Sequence, residues 1–196
     1  MVRLILTMRL DQYSAGDYTP GAARWTQILW FFVGDAIVRS RCLPFSGLKV
    51  WTLRLFGAQI GQGVRIKPGV RVKFPWRLTI GNHAWIGEDA WLDNLAPITI
   101  GDHVCISQAV YLCTGNHDWS DPTFKLWTSE IVVESGSWIA ARSTIAPGVT
   151  VGKGAILALG SVAVKSLEPM MIYAGHPAVA IKPRQFLVVD QVEFER

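Results

Sequence analysis

Long apolar runs are missing. The most hydrophobic stretch near the start, Ile28 to Val33, is cut by Gly34 and Asp35, far short of the ~20 residues a spanning helix requires, so no membrane crossing is expected. Cysteine is scarce and odd in number. Cys42, Cys105 and Cys113 form no CxxC pair, which argues against a disulfide framework or a cysteine zinc site and for a reducing compartment. Met1 to Leu10 holds no sustained hydrophobic region before a small-residue cleavage site. No secretory leader is read there, and the chain is expected to begin at Met1 and to work in the cytoplasm. One-sided charge is lacking too, because 19 Lys and Arg against 15 Asp and Glu are too even for a nucleic-acid binder. What is left, 196 residues at 50% hydrophobic and 17% charged, is ample for one globular core and excludes a disordered chain.

What the sequence does have is a repeat. Aliphatic residues recur every six positions: Ile60, Ile66, Val72; Ile80, Ile86, Leu92; Ile100, Ile106, Leu112; then Val133, Ile139, Ile145, Val151, Leu157 and Ala163. A small or β-branched residue follows four places later, as in Val64, Ala84, Val104, Ser137 and Ala155, while Trp76, Asn116 and Leu167 break the pattern. Glycine often comes straight after the aliphatic residue, as in Gly61, Gly81, Gly87, Gly101 and Gly152, where a tight corner suits a residue without a side chain. Three such sides make a triangular coil, and stacked coils bury an aliphatic column while their backbones pair. The fold predicted is an all-β solenoid, a parallel β-helix. Eight-residue gaps from Val72 to Ile80 and from Leu92 to Ile100 are insertions at corners; the longer gap from Leu112 to Val133 is of another kind.

Three regions follow: a Trp-rich helical cap over 1–58, the solenoid over 59–166 with a catalytic loop at 113–130, and a C-terminal wrap and tail over 167–196. Residues 24–56 read as two short helices separated around Pro44, closing the first coil against exposed apolar surface and strand edges. A second reading of the same segment is a peripheral membrane contact at the inner face of the membrane. Trp25, Trp30, Phe31, Phe32, Trp51 and Phe56 lie among Arg24, Arg39, Arg41, Lys49 and Arg54, a mixture suited to a headgroup region. After Leu167 the repeat stops, and Pro169, Gly175, Pro177 and Pro183 mark irregular chain.

The loop from Thr114 to Glu130 is the long interruption of the solenoid, and it carries His117. Long loops on rigid scaffolds tend to hold function. Histidine there could pack a surface loop or serve as a general base.

Pro75-Trp76, Trp85-Ile-Gly-Glu88, Asp93-Asn-Leu95, Ile106-Ser-Gln108 and Leu112-Cys-Thr-Gly-Asn-His-Asp118 together resemble the colanic-acid-type polysaccharide O-acetyltransferases, relatives of the galactoside, maltose and nodulation-factor enzymes. The resemblance runs over nearly the whole chain. It implies a left-handed coil, against the usual crossover rule, a homotrimer, acetyl-CoA as co-substrate without a metal, and a sugar or lipid-linked oligosaccharide acceptor. It gives His117 the role of catalytic base, beside Asn116. Trp138 matches a tryptophan beside the acetyl-transfer site; Ala141, Leu159, Val164 and Lys165 match positions along the CoA groove; and Lys182 and Arg184 fall near the CoA phosphates. Two departures stand out: Val179 replaces an arginine of some relatives, and the asparagine that the galactoside and maltose enzymes use for the acceptor has no match in Ile86–Trp91. Asp93, Asn94 and Trp119 are the substitutes for acceptor binding. The first two share a face with His117 but are expected near its opposite end.

Two competing functions are weighed. His83 and His103 occupy equivalent places in successive coils and would stack, as in a zinc hydratase of the carbonic-anhydrase-like kind, but a third histidine on that face is missing. A non-catalytic trimeric scaffold or sugar-binding protein is the reading from outside enzymology, since fold does not fix function. Cys113 could be acylated in principle, but beside core Leu112 it is expected to be buried.

Overall fold

Residues 7–186 are described by a computed structural model; the outer ends of the expected cap and tail, 1–6 and 187–196, lie outside them. The six-residue phase becomes three sheets of five, seven and five strands, parallel except for the last strand of the second. Along the first face Ile60, Ile80, Ile100, Val133 and Val151 stand in register from coil to coil. The second aligns Ile66, Ile86, Ile106, Ile139 and Leu157, and the third Val72, Leu92, Leu112, Ile145 and Ala163. All fifteen are buried, so the repeat is a continuous apolar column along the axis.

The corners bear out the need for a residue without a side chain. The glycine after each aliphatic residue does not supply a left-handed turn. That conformation falls two residues later, at His83 (φ 57°), Asp89 (φ 58°) and His103 (φ 54°). The glycine is needed because the next coil lies directly against it: a Cβ on Gly81 would stand 2.7 Å from the Asp102 nitrogen and 2.7 Å from the Gly101 carbonyl carbon. Gly81→Ala is therefore expected to cost about 1–3 kcal/mol, the usual range for overpacking. A urea midpoint that falls with an unchanged m-value would report it.

The cap is two short helical segments. α1 (Arg24–Leu29) passes through a π turn (Trp30–Gly34) into α2 (Asp35–Arg39), and α3 is Ser46–Leu55. Trp30, Val38, Val50, Leu53 and Phe56 join the core; Trp30 meets Phe56 edge-on at 5.2 Å and donates to the Val72 carbonyl at 3.2 Å. Lys49 does not face outward with the arginines. It is fully buried, and its ammonium donates to the carbonyls of Val38 (2.7 Å), Ser40 (3.1 Å) and Lys67 (3.4 Å), tying both helical segments to the first coil. Burial lowers its pKa.

Both ends depart from the regions drawn on the sequence. Residues 9–21 are not cap but a strap along the corner between the third and first faces: Arg9 N donates to the Pro122 carbonyl at 2.7 Å and Trp76 Nε1 to that of Pro20 at 2.7 Å. At the other end the coil continues past 166. Leu167 bridges Val151 in parallel, Met171–Gly175 extends the second face, and Ala178–Pro183 folds back on it antiparallel. An edge is covered by a hairpin where irregular chain was expected.

Candidate active site

The interruption after Leu112 is a β-hairpin, Gly115–His117 against Leu126–Thr128, projecting from the corner between the third and first faces. Its tip is shaped by two short polar turns, in which the Asp118 carboxylate accepts from Ser120 N and the Asp121 carboxylate from Thr123 N. The Asp118 carboxyl is held below its usual pKa by the Ser120 hydroxyl and amide. Asn116 accepts from the His117 amide at 2.8 Å and so fixes the backbone that presents the imidazole.

His117 is half-buried and held on three sides. Its ring stacks on Phe124 at 4.0 Å and 7°, meets Tyr13 of the strap edge-on at 5.8 Å, and places Nδ1 2.9 Å from the Phe124 carbonyl. A carbonyl only accepts, so Nδ1 carries the hydrogen, and in the neutral ring the lone pair is on Nε2. Neither Phe124 nor Tyr13 was marked by the sequence: Phe124 acts through a backbone oxygen at a left-handed residue (φ 53°), and Tyr13 through a long-range packing contact. Phe124→Ala is expected to loosen the ring and lower turnover about tenfold through lost orientation, with CoA binding unchanged by calorimetry.

A cavity of ≈ 390 Å³ opens beside the imidazole and brings together Asn116, His117 and Trp119 with Lys125 and Trp127. Asp93 and Asn94 stand elsewhere. Asp93 pairs in register with Cys113, so both residues sit at the corner where the hairpin begins and not at the opposite end of the face. Asn94 is not free for an acceptor: it is fully buried, accepting from Phe74 N at 2.9 Å and donating to Phe74 O at 2.6 Å. Asp93 is more open in its chemistry. Tyr111 donates to its Oδ2 at 2.9 Å, and burial first, then Cys113 and Asp93, push that phenol's pKa up. Lys73 Nζ lies 3.2 Å from Oδ1, as an ion pair without hydrogen-bond alignment, leaving that buried oxygen with an unmet acceptor. Cys113 is half-buried and its thiol donates to the Gly115 carbonyl at 3.1 Å.

The residues expected along CoA divide among several surfaces. Trp138 lies on the second face, half-exposed, its indole donating to Ser107 Oγ at 2.9 Å. Ala141 and Leu159 follow at the corner between the second and third faces. Val164 and Lys165 are exposed at the corner that carries the hairpin, beyond it along the axis. Lys182 is exposed on the folded-back strand opposite Ile172. Arg184 is committed to the chain itself, donating to the carbonyls of Gly136 and Gly154 at 2.8 Å each. His83 and His103 stack as expected, with centroids 5.2 Å apart. Among the described residues, no group of three His, Cys, Asp or Glu forms around them.

A solenoid built on a six-residue repeat is the fold of solved hexapeptide-repeat acetyltransferases. More narrowly, the chain belongs to the family of the colanic acid biosynthesis acetyltransferase WcaF. It is 44% identical to the WcaF of Escherichia coli (strain K12) over 156 residues, 80% of this chain and 86% of that protein. The galactoside O-acetyltransferase of the same organism is 31% identical over 88 residues, 43% of each chain. No family model matches. Among solved structures, a hexapeptide-repeat acetyltransferase of Vibrio cholerae complexed with acetyl-CoA is similar in fold, with a TM-score of 0.78 at 22% identity over 90% of this chain and 97% of that one. A galactoside acetyltransferase in complex with coenzyme A has a TM-score of 0.75 at 19% identity over 88% of this chain and 89% of that one.

Proposed function

We propose that this protein transfers an acetyl group from acetyl-CoA to a sugar hydroxyl in polysaccharide biosynthesis, on a left-handed coil, with His117 as the general base. The observation that carries the reading is the Nδ1 contact to the Phe124 carbonyl at 2.9 Å, which in the neutral ring leaves the lone pair on Nε2, in a residue that lines an open cavity. Nε2 takes the proton of the acceptor hydroxyl as its oxygen attacks the acetyl carbonyl. The C–O bond forms, the C–S bond breaks, and the proton passes from His117 to the departing sulfur, so CoA leaves as a thiol. Backbone amides or the Trp138 region stabilise the charge that develops on the carbonyl oxygen. Trp119, which lines the cavity beside His117, binds the acceptor, a free or lipid-linked glycan, while exposed Lys165 lies along CoA and exposed Lys182 meets its phosphates.

The site is completed by a second copy in a homotrimer. Within one subunit the hairpin corner and the corner bearing Ala141 and Leu159 are separated by the third face, roughly 20 Å for a six-residue side. A closed three-fold ring sets one subunit's hairpin against its neighbour's second face.

Thiol release from acetyl-CoA with a panel of free and lipid-linked glycans tests the reading. Acceptor-dependent release supports it and begins to name the sugar. A protein that does not bind CoA is a scaffold or sugar-binding protein instead.

A further inference from the structure

A second cavity, ≈ 650 Å³ and larger than the one at His117, lies between the capping helix and the start of the third face. None of the residues given a part in acetyl transfer lines it. One wall is apolar, with Ile28, Phe31 and Phe32; the other carries Arg71 and Lys73, with Arg39 and the single acid Asp35 at the helix end.

The helix that forms the apolar wall touches the solenoid along a narrow line. Trp30, Gly34 and Val38, spaced four apart, are its buried residues. Its outer side is exposed: Trp25 by 81%, Phe31 by 71% and Phe32 by 70%. Trp51 and Leu55 of α3 are exposed as well. Contiguous apolar surface of this kind marks an interaction site.

Charge selects the partner. Between residues 24 and 73 the sequence has nine Lys and Arg and one acid, Asp35, in a chain of net +4, so the remainder is net acidic. Lys49 is buried; the other eight cations are exposed, four of them in ion pairs, Arg39 with Asp35, Arg41 with Asp89, Lys67 with Glu88 and Lys73 with Asp93. Arg71 has no carboxylate partner among the described residues and lies over the Trp91 ring at 5.6 Å. A second copy of the chain docked through the same patch would set like charges together. An anionic bilayer meets both halves of the pattern, taking the aromatic and aliphatic side chains into its interface and the arginines at its phosphates. Among the described residues no helix is long and apolar enough to cross a membrane, so the contact is with one surface.

We infer that the cap is a docking surface for an anionic phospholipid membrane, with Phe31, Phe32 and Trp25 entering the interface and Arg39 and Arg71 seating a lipid phosphate in the groove. The inference does not depend on acetyl transfer. It has one consequence for the site, through Lys73, which lines the groove and pairs with Asp93. Cys113, where the hairpin starts, is two rungs from Lys73, roughly 10 Å at the spacing of paired strands.

Flotation of the full chain with vesicles tests it, comparing phosphatidylcholine alone with an equal mixture of phosphatidylcholine and phosphatidylglycerol. The wild type is expected to float with the mixed vesicles at low salt and to be released as salt rises. F31S/F32S is expected to bind at least about tenfold more weakly, with its circular dichroism and CoA binding unchanged. R39Q/R71Q is expected to lose about fivefold per arginine on the mixed vesicles and nothing on phosphatidylcholine. Wild-type protein that stays in solution with mixed vesicles at low salt overturns the inference, as does F31S/F32S floating like wild type. A changed mass for F31S/F32S by light scattering would make the patch a contact between protein chains and overturn it equally.

Discussion

His117→Ala lowers acceptor-dependent thiol release by about 10²- to 10⁴-fold, the range that a positioned general base supplies. On the proposed mechanism the loss falls on kcat, because the proton transfer occurs in the transition state. Its fold should hold: the imidazole stacks on Phe124 and meets Tyr13 edge-on at the surface of a hairpin, outside the aliphatic column. A melting curve and CoA titration alongside the kinetics separate lost chemistry from lost structure. Undiminished acceptor-dependent turnover would remove His117 from the mechanism.

Mixing two crippled proteins should restore activity if the site is shared. Trp138→Ala removes the indole from the second face, and a loss of about tenfold or more is expected from the altered acetyl environment. His117→Ala removes the base from the hairpin corner. In trimers assembled at random from both chains, each site draws its histidine from one subunit and its tryptophan from the next, so about a quarter of sites regain both. Co-expressed chains should therefore reach about a quarter of wild-type turnover, well above either parent. Activity equal to the mean of the two parents would place the whole site inside one subunit and remove the functional argument for the trimer.

Much of the fold was legible because a solenoid repeats its physics. Each inward position must be aliphatic and each falls six residues from the last, so Ile60 through Ala163 announce the core without any long-range information. The glycines and the side-chain clash they avoid were also visible, but not the atoms they would meet. Gly81 is there because the neighbouring coil's backbone lies against it, a contact between residues twenty apart that the sequence cannot express. Asn94 shows the same limit, since a polar residue at a corner reads as solvated or ligand-binding until Phe74 is found holding both ends of its amide. Lys49 reads as a surface cation until three carbonyls are found around it.

The sequence by itself determined the period, the three faces, the place of the hairpin and the histidine within it, because these depend on residue type and spacing along one chain. Only the tertiary structure decided which nitrogen of His117 faces the Phe124 carbonyl, which face Trp138 occupies, that residues 9–21 strap the hairpin, and that an apolar groove rimmed with cations lies at the cap. Each of these rests on a backbone carbonyl, a corner or a packing contact shared by residues far apart, and such groups carry no signature in residue type.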